Sequence, residues 1–538
     1  MKLIKHIGLG LFLLALVIFN SLTFFGEFEV TKNGLADFIS EKQIKSEYFT
    51  NLAEDQLIGK SYMSSWSLSK DVLSIAEASH DYHREKIKKL EESEVGQDLI
   101  NEEWSKVLWL KTTKQHGDYA YPLVLKSAKG FVSENKRGLF LLTFVLGIIG
   151  GLLFFLPDVK LKGSPGIKND RVFQNAVSNK GWIAWLVFGY LISFYLALYF
   201  VPDLLVNQIM ITDPVSELLN GGKASQWFLY GLLYCSFMTV MGIRMIIKYR
   251  HNRYQIVRTI SVMFFQLTFA FLIPELLVKF NQPWYDFKSA WPLDYSFFFD
   301  WNIDKLINGG HLGLFMLFWG ILMTLVIVPV MVYFYGKRWY CSWVCGCGGL
   351  AETVGDPYRQ HSDKSIKAWK FERYIIHFVL VFAIVMTVGA LWGGEYFLGM
   401  KVYDIQFWYG FLIGSIFSGV IGTGFYPIFG NRFWCRFGCP LAAYMGIVQR
   451  FKSRFRITTN GGQCISCGNC STYCEQGIDV RAYAQKGQNI VRSSCVGCGV
   501  CSAVCPRGVL KLENGPEKGR VNEPQPLSFK NGKIDLNL

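Results

Sequence analysis

Eight cysteines toward the C-terminus repeat one spacing twice. Residues 464–474 read CISCGNCSTYC and residues 495–505 read CVGCGVCSAVC, so each run has the form C-x-x-C-x-x-C-x-x-x-C. Three thiolates at this spacing wrap a loop around three corners of a [4Fe–4S] cubane, and the other run supplies the fourth ligand. This predicts two clusters, whereas a zinc ribbon leaves the last two cysteines of each run unexplained. The two predicted ligand sets are Cys464, Cys467, Cys470 and Cys505, and Cys495, Cys498, Cys501 and Cys474.

A second cysteine pattern occurs twice in the middle of the chain. GKRWYCSWVC at 336–345 and GNRFWCRFGC at 430–439 align without a gap, and each follows a long apolar segment. Because residues i and i+4 lie on one face of a helix, each copy predicts two neighbouring thiols. Both pairs together form a candidate four-thiolate site for a third cluster, with unmetallated or redox-active thiols as the alternative. The pairs are Cys341 with Cys345 and Cys435 with Cys439.

The composition predicts a membrane protein. Of the 538 residues, 51% are hydrophobic and only 18% are charged, which is too apolar for an ordinary soluble chain. A helix that crosses the bilayer needs about 20 mostly apolar residues. The stretches that qualify lie near 7–25, 138–156, 182–201, 227–247, 259–279, 312–335, 373–392 and 408–427. We therefore predict an α-helical polytopic protein with about eight transmembrane helices, embedded in a lipid bilayer.

Lysine and arginine collect in two of the loops between these stretches. The 157–181 and 243–258 loops are rich in both, whereas 202–226 and 393–407 contain one lysine each. Basic loops stay in the cytoplasm, which predicts an inner-membrane protein with cytoplasmic N- and C-termini and an extracytoplasmic segment 26–137. The first stretch lacks a small-residue cleavage site and is interpreted as a retained anchor. Much of the net charge of +14 follows from this topology, so it does not indicate a nucleic-acid partner.

The cysteines are distributed unequally between the predicted sides of the membrane. Thirteen of the 14 fall in predicted cytoplasmic segments, and Cys235 lies inside the fourth stretch. Disulfides belong to oxidising compartments, so thiols confined to the reducing side indicate metal ligands or redox groups.

Two resemblances to known proteins follow from these motifs. The C-terminal runs resemble the bacterial two-cluster ferredoxins, although Glu475 stands where the first motif of those proteins usually has proline. The paired C-x-x-x-C motifs followed by such a domain resemble the membrane polyferredoxins of the NosR/NapH/CcoG type, over residues 310–513. The second motif, CRFGCP with Pro440, fits that pattern, whereas the first has Gly346 in place of proline and Cys347 as an additional thiol.

The resemblance implies a membrane-bound electron-transfer protein. NapH-like members are linked to quinol-dependent electron delivery to periplasmic reductases, and CcoG-like members to copper reduction during oxidase assembly. We predict an electron-transfer component of an oxidoreductase system that connects its cytoplasmic-side clusters with a membrane quinone or with a membrane or periplasmic redox partner protein. The alternative is a redox factor for the assembly, maturation or regulation of a metalloenzyme, with a copper-reducing or sensing role.

These inferences divide the chain into five parts. They are an N-terminal membrane anchor (1–25), an extracytoplasmic helical domain (26–137), a membrane domain with seven spans (138–454), a small α+β two-cluster ferredoxin-like domain (455–513) and a polar tail (514–538).

Three further groups of side chains receive a structural interpretation from the sequence. The aromatic segment 280–310 is typical of an interfacial belt. The loop that carries Glu352, Asp356 and Arg359 is interpreted as solvated. His80 and His83 are assigned to the solvated face of a charged helix.

Overall fold

The computed structural model describes residues 2–93, 96–108, 115–161, 165–166, 171–514, 528–530 and 533–535. Within these residues, eight helices are long and apolar enough to cross a membrane, which confirms the predicted helical membrane protein. The spans, numbered in chain order, are Lys2–Ser21, Lys136–Pro157, Trp182–Phe200, Gln226–Lys248, Arg253–Lys279, Gly310–Tyr335, Ile366–Leu391 and Val402–Gly424. Lys162 and Lys168 of the basic 157–181 loop lie outside the described residues, as does most of the predicted tail.

Proline residues widen two of the spans locally. In the fifth span the π-helical turns Phe265–Leu272 precede Pro274, and in the sixth Met323–Ile327 precede Pro329. A proline inside a helix offers no N–H group and its ring clashes with the carbonyl four residues earlier. A π-helical turn relieves this conflict because its hydrogen bonds skip one more residue.

The chain divides into two compact units, of which the first comprises Met1–Phe154 and Ser193–Leu233. Its segment 26–137 is mainly helical, with a small antiparallel sheet in the order β2-β1-β3. The strands are β1 Glu27–Glu29, β2 Ser61–Tyr62 and β3 Ala128–Lys129. The α-helices of this unit outside the spans are Lys32–Glu41, Glu47–Leu57, Ser65–Glu92, Gln97–Lys106, Tyr121–Ser127, Gly130–Glu134, Val206–Met210 and Asp213–Leu219.

His83 lies in the interior of the first unit, so its assignment to a solvated face is wrong. It continues the buried stripe of the helix Ser65–Glu92, one turn after Ser79, and is 3% exposed. Its Nε2 lies 2.7 Å from Ser46 Oγ, and its Nδ1 lies 2.6 Å from Glu103 Oε1. Because both ring nitrogens have protein partners, the histidine has a structural role in connecting three helices.

The second unit comprises Phe155–Ile192 and Tyr234–Leu538, and it contains all the cysteines. A hairpin of β4 Tyr396–Phe397 and β5 Met400–Lys401 joins the seventh and eighth spans. The α-helices that follow the sixth and eighth spans are Arg338–Cys341, Gly346–Thr353, Tyr426–Phe429, Phe433–Phe437 and Pro440–Lys452, and Asp300–Asn308 precedes the sixth.

A two-stranded sheet pairs the two ends of the C-terminal segment 455–514 of the second unit. Strand β6, Phe455–Thr459, pairs antiparallel with β7, Leu510–Asn514, so the ends of this segment lie side by side. Between them lie the short helices Asn469–Thr472, Val480–Gln485 and Val500–Ala503. Beyond them, β8 Ser528–Lys530 and β9 Lys533–Asp535 form a separate hairpin.

Part of the aromatic segment between the fifth and sixth spans packs along the sixth span, so the interpretation as an interfacial belt is wrong for residues 285–297, whereas Trp284 and Trp301 are exposed. Residues 280–299 return along the sixth span, where the Tyr285 hydroxyl donates to the Met316 carbonyl at 2.9 Å. The backbone N–H of Trp291 donates to Thr324 Oγ1, near the middle of the span. Gly320 makes this approach feasible, because a Cβ there would overlap the Phe297 ring. We call residues 280–299 the re-entrant segment.

Candidate iron–sulfur centres

The structure brings the first predicted ligand set together. Cys464, Cys467, Cys470 and Cys505 line one recess of the C-terminal segment, whose wall is otherwise largely apolar. Burial and, to a smaller extent, the nearby Cys505, Cys467 and Cys464 together raise the pKa of Cys470 to about 12. Four thiols around one apolar recess are a suitable donor set for a [4Fe–4S] cluster, since each iron takes one cysteine.

The second predicted ligand set also converges, deeper in the unit. Burial raises the pKa of Cys501, and its next strongest influences are Cys498, Cys474 and Cys495. Backbone amides face these sulfurs, as the N–H of Ile478 donates to Cys474 Sγ at 3.4 Å. Amide donors of this kind stabilise thiolates and set cluster potentials.

The two cysteine runs fold alike. Gly468 and Gly499 precede the third cysteine of their runs, with φ of 80° and 74°. A short helix follows each glycine, Asn469–Thr472 in the first run and Val500–Ala503 in the second. The left-handed backbone turns the chain sharply before the third cysteine, and glycine adopts this conformation without strain.

The zinc alternative is distinguished by the number of cysteines in each run. A zinc ribbon uses pairs of cysteines. Each run here has four, and two such runs match the ligand count of two [4Fe–4S] clusters.

The middle motifs form a third group of thiols in the core of the second unit. Cys341, Cys345, Cys435 and Cys439 are buried in one hydrophobic cluster, and Cys347 packs against it. We call these five residues the thiol site. Burial raises the pKa of Cys439, and Cys345 and Cys341 of the first motif raise it as well, so the electrostatic influence crosses from one motif to the other. The two motifs therefore meet, as the sequence suggested.

The local backbone of each motif differs from the predicted single helical turn. Gly336 and Gly430 have positive φ and end the preceding helices. In each copy the first cysteine lies in a short helix, whereas the second caps the next one. Cys345 precedes Gly346–Thr353, and Cys439 precedes Pro440–Lys452, where the N–H of Ala442 donates to its sulfur at 3.4 Å. A break between two helices, rather than one helical face, brings each pair together.

Positive charge surrounds the thiol site. A hydrogen bond from the Cys347 thiol lowers the pKa of Cys345 to about 6, although burial opposes ionisation, and Lys288 and Arg432 contribute in the same direction. Burial raises the pKa of Cys341 to about 12 against the influence of Lys337. Lys337 is buried, and Lys288 belongs to the re-entrant segment. Buried thiolates need such compensation, so the site is suited to an anionic metal–thiolate group.

A network of buried ion pairs connects this site with the ferredoxin-like segment. Glu475, directly after Cys474, is 1% exposed and accepts from Arg359 Nη1 at 2.7 Å and from Arg432 Nε at 2.9 Å. Arg432 also contacts Glu352 and lies 3.7 Å from Cys435 Sγ. At the position where proline is usual, Glu475 therefore forms buried ion pairs with residues outside the ferredoxin-like segment. One of its partners, Arg432, also contacts the thiol site.

The same network shows that the loop after the first motif is not solvated, so that interpretation is wrong. Asp356 accepts from Arg359, Arg244 and Lys248 at 2.7–2.9 Å. Burial would raise the pKa of Asp356, but the three cations hold it well below its usual range. Arg258, in the fifth span, pairs with Glu352. The loop carboxylates are buried because cations from two spans and from Arg359 compensate their charge.

Direct hydrogen bonds link the thiol site with the second ligand set. The Ser342 hydroxyl, next to Cys341, donates to the carbonyl of Val496, next to Cys495, at 2.8 Å. Gln449 donates to the carbonyl of Cys495 at 2.8 Å. These contacts fix the position of one group of thiols relative to the other.

The fifth span adds contacts to the second ligand set from another side. Tyr254 and Gln255 donate to the carbonyls of Gly497 and Cys498 at 2.9 and 2.8 Å. Trp343, between the two cysteines of the first motif, donates to the Tyr254 hydroxyl at 3.2 Å.

Sequence reasoning did not identify Arg432, Lys288, Lys337 or Ser342 as parts of the site. The repeat itself contains a signal for the first of them, because Arg338 and Arg432 occupy the same position three residues before a cysteine. Arg432 contacts the cysteine of its own motif, whereas Arg338 lies over the Tyr254 and Phe455 rings. Lys288 belongs to a distant segment, and no pattern in the sequence relates it to a cysteine.

Comparison with known proteins agrees with these groups of cysteines. Residues 456–506 match the family of the 4Fe-4S dicluster domain, and residues 315–365 and 409–458 both match the family of the 4Fe-4S binding domain. With the eight spans of the described residues, these matches define a membrane protein that carries ferredoxin-type 4Fe-4S domains. The matched regions cover less than half of the chain, and the resemblance to the NosR/NapH/CcoG type stays a prediction.

Two curated proteins are similar to part of the chain. One is "Putative electron transport protein YccM" of Escherichia coli, 27% identical over 171 residues, which are 29% of this chain and 47% of that protein. Another is "Methylamine utilization ferredoxin-type protein MauN" of Methylobacillus flagellatus, 26% identical over 159 residues, which are 29% of this chain and 54% of that protein. The chain thus spans about half the length of these relatives. No solved structure matches it.

Proposed function

We propose that this protein relays electrons between its ferredoxin-like domain and a membrane quinone or partner redox protein, through a third iron–sulfur centre at the thiol site. The observation that carries the proposal is the convergence of four buried thiols and the partly buried Cys347 beside the second ligand set. The Ser342–Val496 hydrogen bond connects residues adjacent to cysteines of both groups. Such close placement is what single-electron transfer requires.

The eight C-terminal cysteines are the proposed ligands of two clusters, in the sets predicted from their spacing. At the thiol site, Cys341, Cys345, Cys435 and Cys439 are the proposed ligands of the third. Cys347 is the proposed hydrogen-bond donor to the Cys345 sulfur, in agreement with the lowered pKa of Cys345. The match of both middle regions to a 4Fe-4S binding family supports this assignment. When bound, such clusters supply one-electron redox couples.

The chain's own residues hold these groups, compensate their charge and exclude water. Arg432, Lys337 and Lys288 supply buried positive charge next to the thiol site. Tyr340, beside Cys341, is buried, and its hydroxyl donates to the Lys288 carbonyl at 2.9 Å. An interior without water and with fixed dipoles reduces the reorganisation that accompanies a change of charge.

The proposed topology places the ferredoxin-like domain and the thiol site on the cytoplasmic side. The basic loops 157–181 and 243–258 support this orientation. The mainly helical segment 26–137 is then extracytoplasmic and is the proposed docking domain for a periplasmic redox protein.

Iron and acid-labile sulfide per polypeptide test the third centre. Protein purified without oxygen should contain about twelve irons and show three reducible clusters by EPR, whereas two clusters would give about eight. Cys435→Ser should lower the iron content to about eight while the signals of the ferredoxin-like domain persist. Cys235→Ser is the matched control, because it changes a buried thiol outside all three groups. A wild-type content of eight would contradict the third centre and favour an assembly role for free thiols.

A second experiment tests electron exchange with the membrane. The protein is placed in lipid nanodiscs and a quinol is added. Reduction of the clusters is followed by EPR and by the loss of visible absorption. Reduction in the wild type that slows strongly in Cys435→Ser supports the relay. Equal reduction in both proteins would contradict the role of the thiol site.

A further inference from the structure

A large cavity lies directly behind the second cysteine motif, entirely within the second unit. Its volume is about 920 Å³, within the range of about 300–1,000 Å³ typical of small-molecule sites. Residues from three regions line it: the segment around Phe173 and Lys180, the start of the seventh span, and the motif that carries Cys435 and Cys439. None of the three predicted ligand sets accounts for this space.

One wall of the cavity is aromatic and reaches the surface of the spans. Phe371, Phe429, Phe433 and Phe437 all line it. Phe371, near the start of the seventh span, is 57% exposed, and Phe429, just after the eighth, is 46% exposed. Exposed apolar rings at the ends of two spans form an opening toward the lipid. A ligand with an apolar tail can enter there without crossing polar surface.

Polar and charged side chains also line the cavity. His361 is one of them, and burial and the positive charge of Lys180 lower its pKa to about 4, so the imidazole is neutral at physiological pH. Lys180 and Lys367 line the cavity as well. A neutral imidazole and two ammonium groups can donate hydrogen bonds to the polar oxygens of a ligand.

The cavity and the thiol site share one short helix. Arg432, Phe433, Arg436 and Phe437 line the cavity from the helix Phe433–Phe437 and its N-cap, whereas Cys435 faces the thiol site. Arg432 contacts both the cavity and the thiol site, because its side chain lines the cavity and its Nη1 lies 3.7 Å from Cys435 Sγ. A ligand in the cavity would therefore lie one side chain away from the proposed third centre.

We propose that this cavity binds the head group of a membrane quinone, an inference that rests on the proposed electron-transfer function. The aromatic wall stacks on the planar ring, the opening admits the isoprenoid tail, and His361 and Lys367 contact the ring oxygens. Quinone takes up two electrons and two protons to become quinol, and the reverse reaction releases them. The electrons are exchanged singly with the iron–sulfur centres of the same unit, and the protons are exchanged with water through His361.

Photoaffinity labelling tests this site independently of electron transfer. The full-length protein in phosphatidylcholine nanodiscs is irradiated with an azido-substituted benzoquinone carrying a decyl chain, and labelled peptides are identified by mass spectrometry. We expect labelling of peptides that contain Phe371 or Phe433, and displacement by excess unlabelled decylbenzoquinone. Labelling confined to other regions, or displacement by phosphatidylglycerol as effectively as by quinone, would overturn the assignment, the latter in favour of a lipid headgroup.

Two substitutions on one helix provide a matched pair. Ala368 lines the cavity, so Ala368→Trp fills it, whereas Ile366 lies two residues earlier, does not line it and is exposed. Labelling should fall by at least about tenfold in Ala368→Trp, corresponding to a loss of about 1.4 kcal/mol in binding, and remain unchanged in Ile366→Trp. His361→Leu should also weaken labelling while leaving the iron content unchanged. Equal labelling of all four proteins would overturn the proposal.

The two proposals fail in different ways. If quinol does not reduce the wild-type clusters although the cavity is labelled, the electron-transfer function fails and the binding site stands. If quinol reduces the clusters equally in wild type and Ala368→Trp, electron transfer stands and the cavity is not the quinone site.

Discussion

Replacement of Glu475 by glutamine should detach the ferredoxin-like domain from the membrane domain. In the described structure, Glu475, Glu352 and Asp356 face five cations of the network. The cations are Arg244, Lys248, Arg258, Arg359 and Arg432. Glu475→Gln removes one of only three negative charges and leaves Arg359 and Arg432 buried without this partner.

The expected cost follows from the burial of the pairs. Glu475 and both arginine partners are at most 1% exposed. Removing one member of a buried ion pair typically costs about 3–5 kcal/mol, because the remaining charge loses its compensation. With a urea dependence of about 2 kcal/mol per M, a loss of about 4 kcal/mol lowers the unfolding midpoint of the domain by about 2 M.

Arg359→Gln provides the critical comparison. It removes a cation from a network that has more cations than carboxylates, and each carboxylate it contacted keeps another partner. Glu475 keeps Arg432, and Asp356 keeps Arg244 and Lys248. We therefore expect Arg359→Gln to destabilise the domain less than Glu475→Gln does.

The assay is the urea dependence of the visible absorption of the clusters in detergent-solubilised protein, which disappears when the domain unfolds. Lys511→Gln, at an exposed position in β7 of the same domain and outside the network, is the control and should shift the midpoint by no more than about 0.5 kcal/mol equivalent. An Arg359→Gln protein as unstable as Glu475→Gln, or a Glu475→Gln protein as stable as the control, would refute the charge argument.

Three further predictions concern neighbouring groups. Cys347→Ala should keep the iron content but lower the reduction potential of the third centre by about 40 mV, which is the one-electron equivalent of a hydrogen bond worth about 1 kcal/mol. Cys347→Ser should change this potential less. An EPR redox titration of the three proteins measures both shifts. Ser342→Ala should destabilise the unit by about 1–3 kcal/mol in a urea titration, because the buried Val496 carbonyl loses its donor. Burial and Asp286 raise the pKa of Asp294 from 3.8 to about 6, so the wild type loses stability as the pH rises through 6. Asp294→Asn should therefore gain up to about 3 kcal/mol over wild type between pH 4 and pH 7, and a thermal melt showing no pH-dependent difference would contradict this.

Hydropathy and cysteine spacing predict the spans and the groups of thiols because both are local properties of the chain. The hydropathy predicts eight spans, and the described part of the chain contains eight, since a stretch of about 20 apolar residues suffices to define each one. The spacing within each run likewise determines which thiols one loop can present to a cluster.

The surroundings of the thiols depend on contacts between distant segments, and these were not predictable. Lys288 and Cys345 are far apart in sequence, and Glu475 meets Arg359 and Arg432 only after the domain has docked. A charged residue in a loop normally indicates solvent, so Glu352, Asp356 and Arg359 were assigned to the surface. Their burial depends on compensating cations from the fourth and fifth spans, which no local pattern reveals.

The different burial of the two ligand sets has a consequence for biogenesis. Cys467 of the first set is exposed, whereas Cys495 and Cys501 of the second are buried, and Tyr254 and Gln255 of the fifth span close over the loop between them. With the proposed ligand sets, we therefore expect iron and sulfide to reach the second set more readily before the domain packs onto the membrane helices, whereas the first set, with Cys467 exposed, stays open to loading and repair afterwards. Protein that has folded without iron should refill the first set alone, which makes the timing of iron supply during synthesis a determinant of how many functional copies a cell obtains.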